Sequence, residues 1–218
     1  MQRDLSSLKI AGVNMVRFNM RFDPQRHRRR RSLRLEDYDY ARTGAYFVTI
    51  CARNWECLFG EVVQERMVLN EYGGIVHREW ARSAEIRNEI ELDEFVVMPN
   101  HLHGIVFIVR DGTNVKFGSV GATGRSPLQP RNTEPCGPRS KSLGSFIAGF
   151  KSAATRRINT WRGAPGVPVW QRNYYDHIIR NDDELHRIRE YIMKNPHRWA
   201  MDAENPDRAG KRNEEDPA

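Results

Sequence analysis

The chain is short of cysteine, has no long apolar run and carries no phosphate-cradling glycine loop. Only three of its 218 residues are cysteine, and Cys51, Cys57 and Cys136 form an odd, irregularly spaced set. That pattern excludes a disulfide framework, and Cys51 and Cys57 stand too far apart for a Cys-x-x-Cys redox pair. Packing is the role expected of them. No stretch approaches the ~18 apolar residues a membrane span requires. Residues 9–16 are too short and too polar for a secretory signal core, and arginines follow them. A cytoplasmic protein with no membrane partner is therefore expected. Residues 121–124 lack the Lys-Ser/Thr ending of a phosphate loop, which leaves no sign of nucleotide-driven chemistry.

Acidic residues are missing where basic ones are dense. The formal charge is +7 with 35 Lys and Arg against 28 Asp and Glu. Residues 1–34 hold ten Lys or Arg and two Asp, so this segment alone exceeds the whole-chain excess. Between 135 and 175 there is no Asp or Glu, while Arg139, Lys141, Lys151, Arg156, Arg157, Arg162 and Arg172 all fall there. A positive stretch of that length inside a folding region points to a polyanion partner more strongly than a basic tail does.

Residues 1–36 read as a basic extension, equally consistent with a phosphate-gripping arm and with an unstructured leader. The folded part, 37–200, opens on the β-branched and aromatic run at 45–52. A hairpin follows at 60–63 and 66–69, then a helix from Asn70. Apolar runs at 92–98 and 101–109, split by Pro99-Asn100, read as adjacent antiparallel strands. Residues 111–138, rich in Gly, Pro, Ser, Thr and Asn, read as a flexible loop. A second helix is expected from about Ser140 to Trp161, with Leu143, Phe146, Ile147, Phe150, Ala154 and Ile158 on its buried face. Residues 169–179 read as partly extended. Asn181 and Glu184 mark a capping box at the start of a last helix whose core stripe is Leu185, Ile188 and Ile192 and which Pro196 limits. Residues 201–218 read as a polar, disordered tail. Mixed helices and antiparallel strands give an α+β class, an antiparallel sheet with helices packed on it.

His101 and His103 open an apolar strand. Alternation along a strand puts both imidazoles on one face and Leu102 on the other, so both can hold one divalent ion. Two surface or hydrogen-bonded histidines are the alternative. Gly104 is expected to keep the backbone beside them uncrowded. Tyr191 and Asn195 lie four apart on the capped helix and share a face off its core stripe. Tyr174 and Tyr175 are rival nucleophiles by residue type. Trp170, Tyr174 and Tyr175 can stack on unpaired bases, or, for Trp170 above all, belong to the core.

The segment MPNHLHGIVFIV, a basic helix, and then VWQRNYYDHIIRNDDELHRIREYIMKNP resemble, in order, the HUH single-tyrosine transposases, most closely the REP-associated tyrosine transposases of bacteria. The resemblance spans about residues 38–199. It implies a ferredoxin-like HUH nuclease fold, Tyr191 as nucleophile, and a metal held by His101, His103 and Asn195. It further implies a single-stranded DNA hairpin as substrate and a 5′-phosphotyrosine intermediate. Two imidazoles and an amide suit Mn²⁺ and allow Mg²⁺. Lys141, Lys151, Arg156, Arg157 and Arg172 are the expected phosphate contacts, with Tyr174 and Tyr175 beside them. Some relatives carry a carboxylate three places before the first histidine; here Met98 stands there. The chain can act as a monomer or a homodimer. A non-catalytic, domesticated single-stranded-DNA-binding protein of the same fold is the alternative reading.

Overall fold

The computed structural model describes residues 39–109, 139–202 and 204–207. The basic extension at 1–36 and the loop expected at 111–138 lie outside the described residues, as does the tail beyond 207. Six strands and three helices follow in chain order: β1 (Gly44–Cys51), β2 (Gly60–Val63), β3 (Arg66–Leu69), α1 (Glu71–Glu85), β4 (Ile90–Val97), β5 (His101–Ile108), α2 (Leu143–Trp161), β6 (Tyr175–Ile179) and α3 (Asp182–Met193). A 3₁₀ segment, Pro196–Met201, follows α3. The main sheet has the order β4-β5-β1-β6 and every pairing in it is antiparallel. With the β2–β3 hairpin set aside, the order β-α-β-β-α-β and this strand arrangement form the ferredoxin-like split unit. The expected α+β class is what the chain adopts.

The central strands β1 and β5 are buried on both faces, which explains their nearly unbroken apolar sequences. One face meets α1 and α2 through Tyr46, Val48, Ile50, Leu102, Val106, Trp80, Phe146 and Phe150. The other meets α3 through Ala45, Phe47, Ile105, Leu185, Ile188 and Ile192. Gly104 belongs to the first face. A Cβ there would come within 2.6 Å of the Trp80 ring, so its task is to admit a buried indole, not to clear space for the histidines. Gly73 in α1 is required similarly, because a side chain would strike the Phe59 carbonyl.

Local capping sets the helix ends. Asn70 accepts a hydrogen bond from Gly73 N at 3.0 Å. α2 begins later than Ser140 because Lys141 takes a left-handed φ of 57° and Ser142 and Ser145 form a reciprocal capping box. In α3, Asn181 accepts from Glu184 N at 2.9 Å. The Glu184 carboxylate accepts from Arg180 N and from the His177 ring, one residue earlier than a capping box requires. The Arg189–Asp93 ion pair then ties α3 to β4. The segment read as a disordered tail departs from expectation at its start. Asn205 is buried and donates from Nδ2 to the Trp199 carbonyl at 2.9 Å, because polar side chains here satisfy backbone groups beside the 3₁₀ segment. No described helix is long and apolar enough to cross a membrane.

Candidate metal and tyrosine site

His101 and His103 point from the start of β5 to the α3 face, with ring centroids 4.4 Å apart. Both are fully buried, at 0% and 1% exposure. The β1–β5 register sets Thr49 beside His103 and Cys51 beside His101. Tyr191, on α3, brings its hydroxyl to 3.3 Å from His103 Nε2, and its ring packs edge-on against Phe47. Asn195, just past α3, is 1% exposed. The final helix and the histidine strand thus meet on one face.

The tautomers follow from the neighbours. Asn100 Nδ2 donates to the carbonyls of Trp55 and Glu204, so its Oδ1 must accept. His101 Nδ1 therefore carries the proton and donates to that oxygen at 2.8 Å. This leaves the lone pair on His101 Nε2, which is buried and has no partner. His103 lies between two hydroxyls, the Tyr191 phenol at 3.3 Å from Nε2 and Thr49 Oγ1 at 2.9 Å from Nδ1; the tautomer in which Nδ1 donates to Thr49 is the one that leaves the Nε2 lone pair for the phenol or an ion. Asn195 Nδ2 donates to Asp202 Oδ2 at 2.9 Å, and its Oδ1 is likewise buried without a partner. Two bare acceptors in a dry site are costly unless something positive meets them.

A carboxylate joins them. Ligand atoms of His101, His103 and Asp202 all lie within 4.8 Å of one another. This donor set fits a divalent cation: neutral imidazoles, an amide oxygen and a carboxylate. Burial lowers His101 to about 4, against the Asp202 charge and the Asn195 contact. Burial and the neighbouring His101 hold His103 well below its ordinary range. Both rings are thus neutral and able to ligate near neutrality. Burial, then the charges of Asp202 and Glu204, raise the Tyr191 phenol above its usual value. Burial and Asp202 push Glu204 up to about 8. Burial and the neighbouring acidic groups make further negative charge unfavourable in this pocket.

The basic residues separate into engaged and free. Lys151 is not a free phosphate contact. Its ammonium donates to the carbonyls of Gln171 at 2.8 Å, Arg172 at 3.4 Å and Asn173 at 2.9 Å, which pins the 171–173 segment to α2. Arg157 pairs with the nearly buried Glu79. Lys141, Arg156 and Arg172 are exposed. Arg156 and Arg172 line a cleft of about 810 Å³ between the C-terminal half of α2 and residues 163–172. Trp170 lies in the core against Phe59, as one reading of the sequence had it. Tyr174 packs at the α1–α2 core, with the Lys151 ammonium 5.8 Å from its ring centroid. Tyr175 faces the α3 side through its pairing with Thr49, and burial raises its phenol. The hydroxyl that sits on His103 Nε2 is that of Tyr191.

Asp202, Asn100, Thr49 and Glu204 were not singled out by sequence reasoning. Asn100 alone carried a signal, since it adjoins the first histidine. Asp202 and Glu204 sit where composition suggested a tail.

No family model matches the chain. Among solved structures it is similar to a REP-associated tyrosine transposase bound to a REP hairpin, with 17% identity, 78% of each chain covered and a TM-score of 0.48. A likeness of that size assigns no activity to the chain. It is 40% identical over 176 residues to an uncharacterized protein of Haemophilus influenzae strain Rd, across 79% of this chain and 91% of that one. The chain belongs to the same family as that Haemophilus influenzae protein.

Proposed function

We propose that the protein is an HUH single-tyrosine transposase, a metal-dependent enzyme that cleaves and rejoins single-stranded DNA at hairpins. The observation that carries this reading is the placement of the Tyr191 hydroxyl on His103 Nε2, beside two buried acceptors with no partner. Two buried acceptors beside a phenol suit a positively charged occupant.

His101, His103 and Asn195 are the ligands in this reading, and Mn²⁺ or Mg²⁺ is the ion. When bound, the ion supplies positive charge for a non-bridging phosphate oxygen and for the developing phenolate. The chain does the rest. Asn100 and Thr49 fix the imidazole tautomers. The edge of Phe47 and the α3 backbone hold the Tyr191 ring in place. The Tyr191 oxygen attacks phosphorus, the P–O3′ bond breaks, and the departing oxygen takes a proton as the 3′-hydroxyl. The product is a 5′-phosphotyrosine, so a second 3′-hydroxyl reverses the step without ATP. Arg156, Arg172 and Lys141 hold flanking phosphates in this reading, and Tyr175, half-buried on the Tyr191 side of the sheet, is the aromatic that meets a base. The hairpin substrate follows from the motif resemblance.

The test is incubation of a labelled single-stranded hairpin with the protein and Mn²⁺, followed by a denaturing gel. A covalent protein–DNA band that Tyr191→Phe abolishes is expected. A protein that shifts the hairpin on a native gel yet never forms that band is the non-catalytic binding protein instead.

A further inference from the structure

The three ligands above form a shell with no charge, since both imidazoles are neutral and Asn195 is an amide. Hard divalent ions such as Mn²⁺ and Mg²⁺ favour at least one carboxylate. In this sequence the place three residues before His101 is Met98, fully buried and unable to ligate such an ion. The strand itself therefore cannot supply the anion.

We propose that Asp202 is the anionic ligand of the metal, which makes the segment after the last 3₁₀ turn part of the catalytic centre. This deepens the metal reading above and rests on it. Three observations converge. The Asp202 carboxylate shares a 4.8 Å cluster with ligand atoms of His101 and His103. Its Oδ2 accepts from Asn195 Nδ2, which fixes the amide flip so that the bare Asn195 oxygen is left for the ion. Its Oδ1 accepts from Glu204 N at 2.9 Å. Each oxygen has taken one donor and retains a second lone pair.

Hydrogen bonds outside the cluster hold the segment around Asp202 in place. Asn100 Nδ2 holds the Glu204 carbonyl at 2.7 Å, and Asn205 Nδ2 holds the Trp199 carbonyl. The Trp199 ring lies 6.0 Å from His101. Asn100 thus grips the first metal imidazole with its oxygen and the segment bearing the carboxylate with its nitrogen. The carboxylate reaches the centre from the far end of the fold, about 100 residues in sequence from the histidines and brought back by the turn that Pro196 opens.

The experiment is a titration of the full chain with Mn²⁺ alone, read by the electron paramagnetic resonance signal of the free ion, for wild type, Asp202→Asn and His101→Ala. Loss of an outer-shell partner costs ~10–100-fold in affinity. The expected result is one saturable site in wild type and a loss beyond about 100-fold in both variants. A smaller loss in Asp202→Asn, with His101→Ala behaving as expected, overturns the assignment and leaves the metal reading intact. Wild type that binds no Mn²⁺ sinks both. Should Asp202→Asn fail to fold, hydrogen exchange on wild type decides. Mn²⁺ must slow exchange at the Glu204 and Asn205 amides, and an unchanged rate there overturns the proposal.

Discussion

Tyr191, His103 and Thr49 form one hydrogen-bonded line across the site, and each member makes a distinct demand. Removing the phenolic oxygen with Tyr191→Phe should abolish the covalent adduct while leaving hairpin affinity and Mn²⁺ affinity within about twofold, because the ring still packs on Phe47. Thr49→Val keeps the shape and removes the acceptor for His103 Nδ1. The expected outcome is a ~10–100-fold weaker Mn²⁺ affinity, the effect of losing an outer-shell partner, measured by the same free-ion signal. Protonation adds a pH signature to the metal-free protein. His101 falls to about 4 on folding and His103 also falls, so between about 4 and 6.5 the unfolded chain binds more protons and stability rises with pH. For His101 alone the effect is about 3 kcal/mol across that window. Glu204 rises to about 8. Its folded carboxyl keeps a proton that the unfolded one loses, so its contribution falls as pH rises from about 4.5 to 8. Denaturant melts in EDTA should therefore show greatest stability near pH 6 to 7. A steady climb through pH 8 would contradict the raised Glu204.

At the scale of elements, the site depends on two dockings. β5 is seated against α1 by Gly104 and Trp80, and α3 is tied to β4 by Arg189 and Asp93. Gly104→Ala should cost ~1–3 kcal/mol in a denaturant melt, the range of overpacking in a tight core, because the fully buried Trp80 has nowhere to go. Most elements could be read from the sequence, for identifiable reasons. β5 alternates His101, His103, Ile105 and Phe107 against Leu102, Gly104, Val106 and Ile108, and α3 carries its cap and apolar stripe within twelve residues. The hairpin at 60–69 was legible from its flanking strands. Its turn residues Gln64 and Glu65 both take positive φ, a conformation such residues rarely signal. What stayed hidden depends on tertiary contact. That Gly104 faces an indole, that Lys151 serves loop carbonyls and that Asp202 and Glu204 return to the histidine strand are facts of packing with no local periodicity. α2 starts three residues later than expected, at Leu143, for a local reason, the left-handed Lys141 before the Ser142 cap.

Across the whole molecule, the tyrosine site and the basic cleft lie on opposite faces of the sheet but meet at one end of it. Gln171 N donates to the Cys51 carbonyl and Cys51 pairs with His101, so the segment that walls the cleft abuts the strand ends carrying the site. A single strand leaving the site around this end would run toward the segment that bears Arg172 and walls the cleft lined by Arg156. Replacing both with Glu should reduce the slope of log affinity against log salt by about 1.4, at ~0.7 per phosphate contact on single strands. Fluorescence anisotropy on a hairpin with a single-stranded flank measures it, and an unchanged slope would place the strand elsewhere. Chemistry at the far site should survive at saturating DNA. The most direct measurement of the central claim is mass spectrometry of the peptides recovered after reaction of the wild-type chain with Mn²⁺ and a single-stranded hairpin. A nucleotide attached through phosphate to Tyr191 is the expected product. Attachment to Tyr174 or Tyr175, or to no residue in a sample that demonstrably binds both Mn²⁺ and the hairpin, would contradict it.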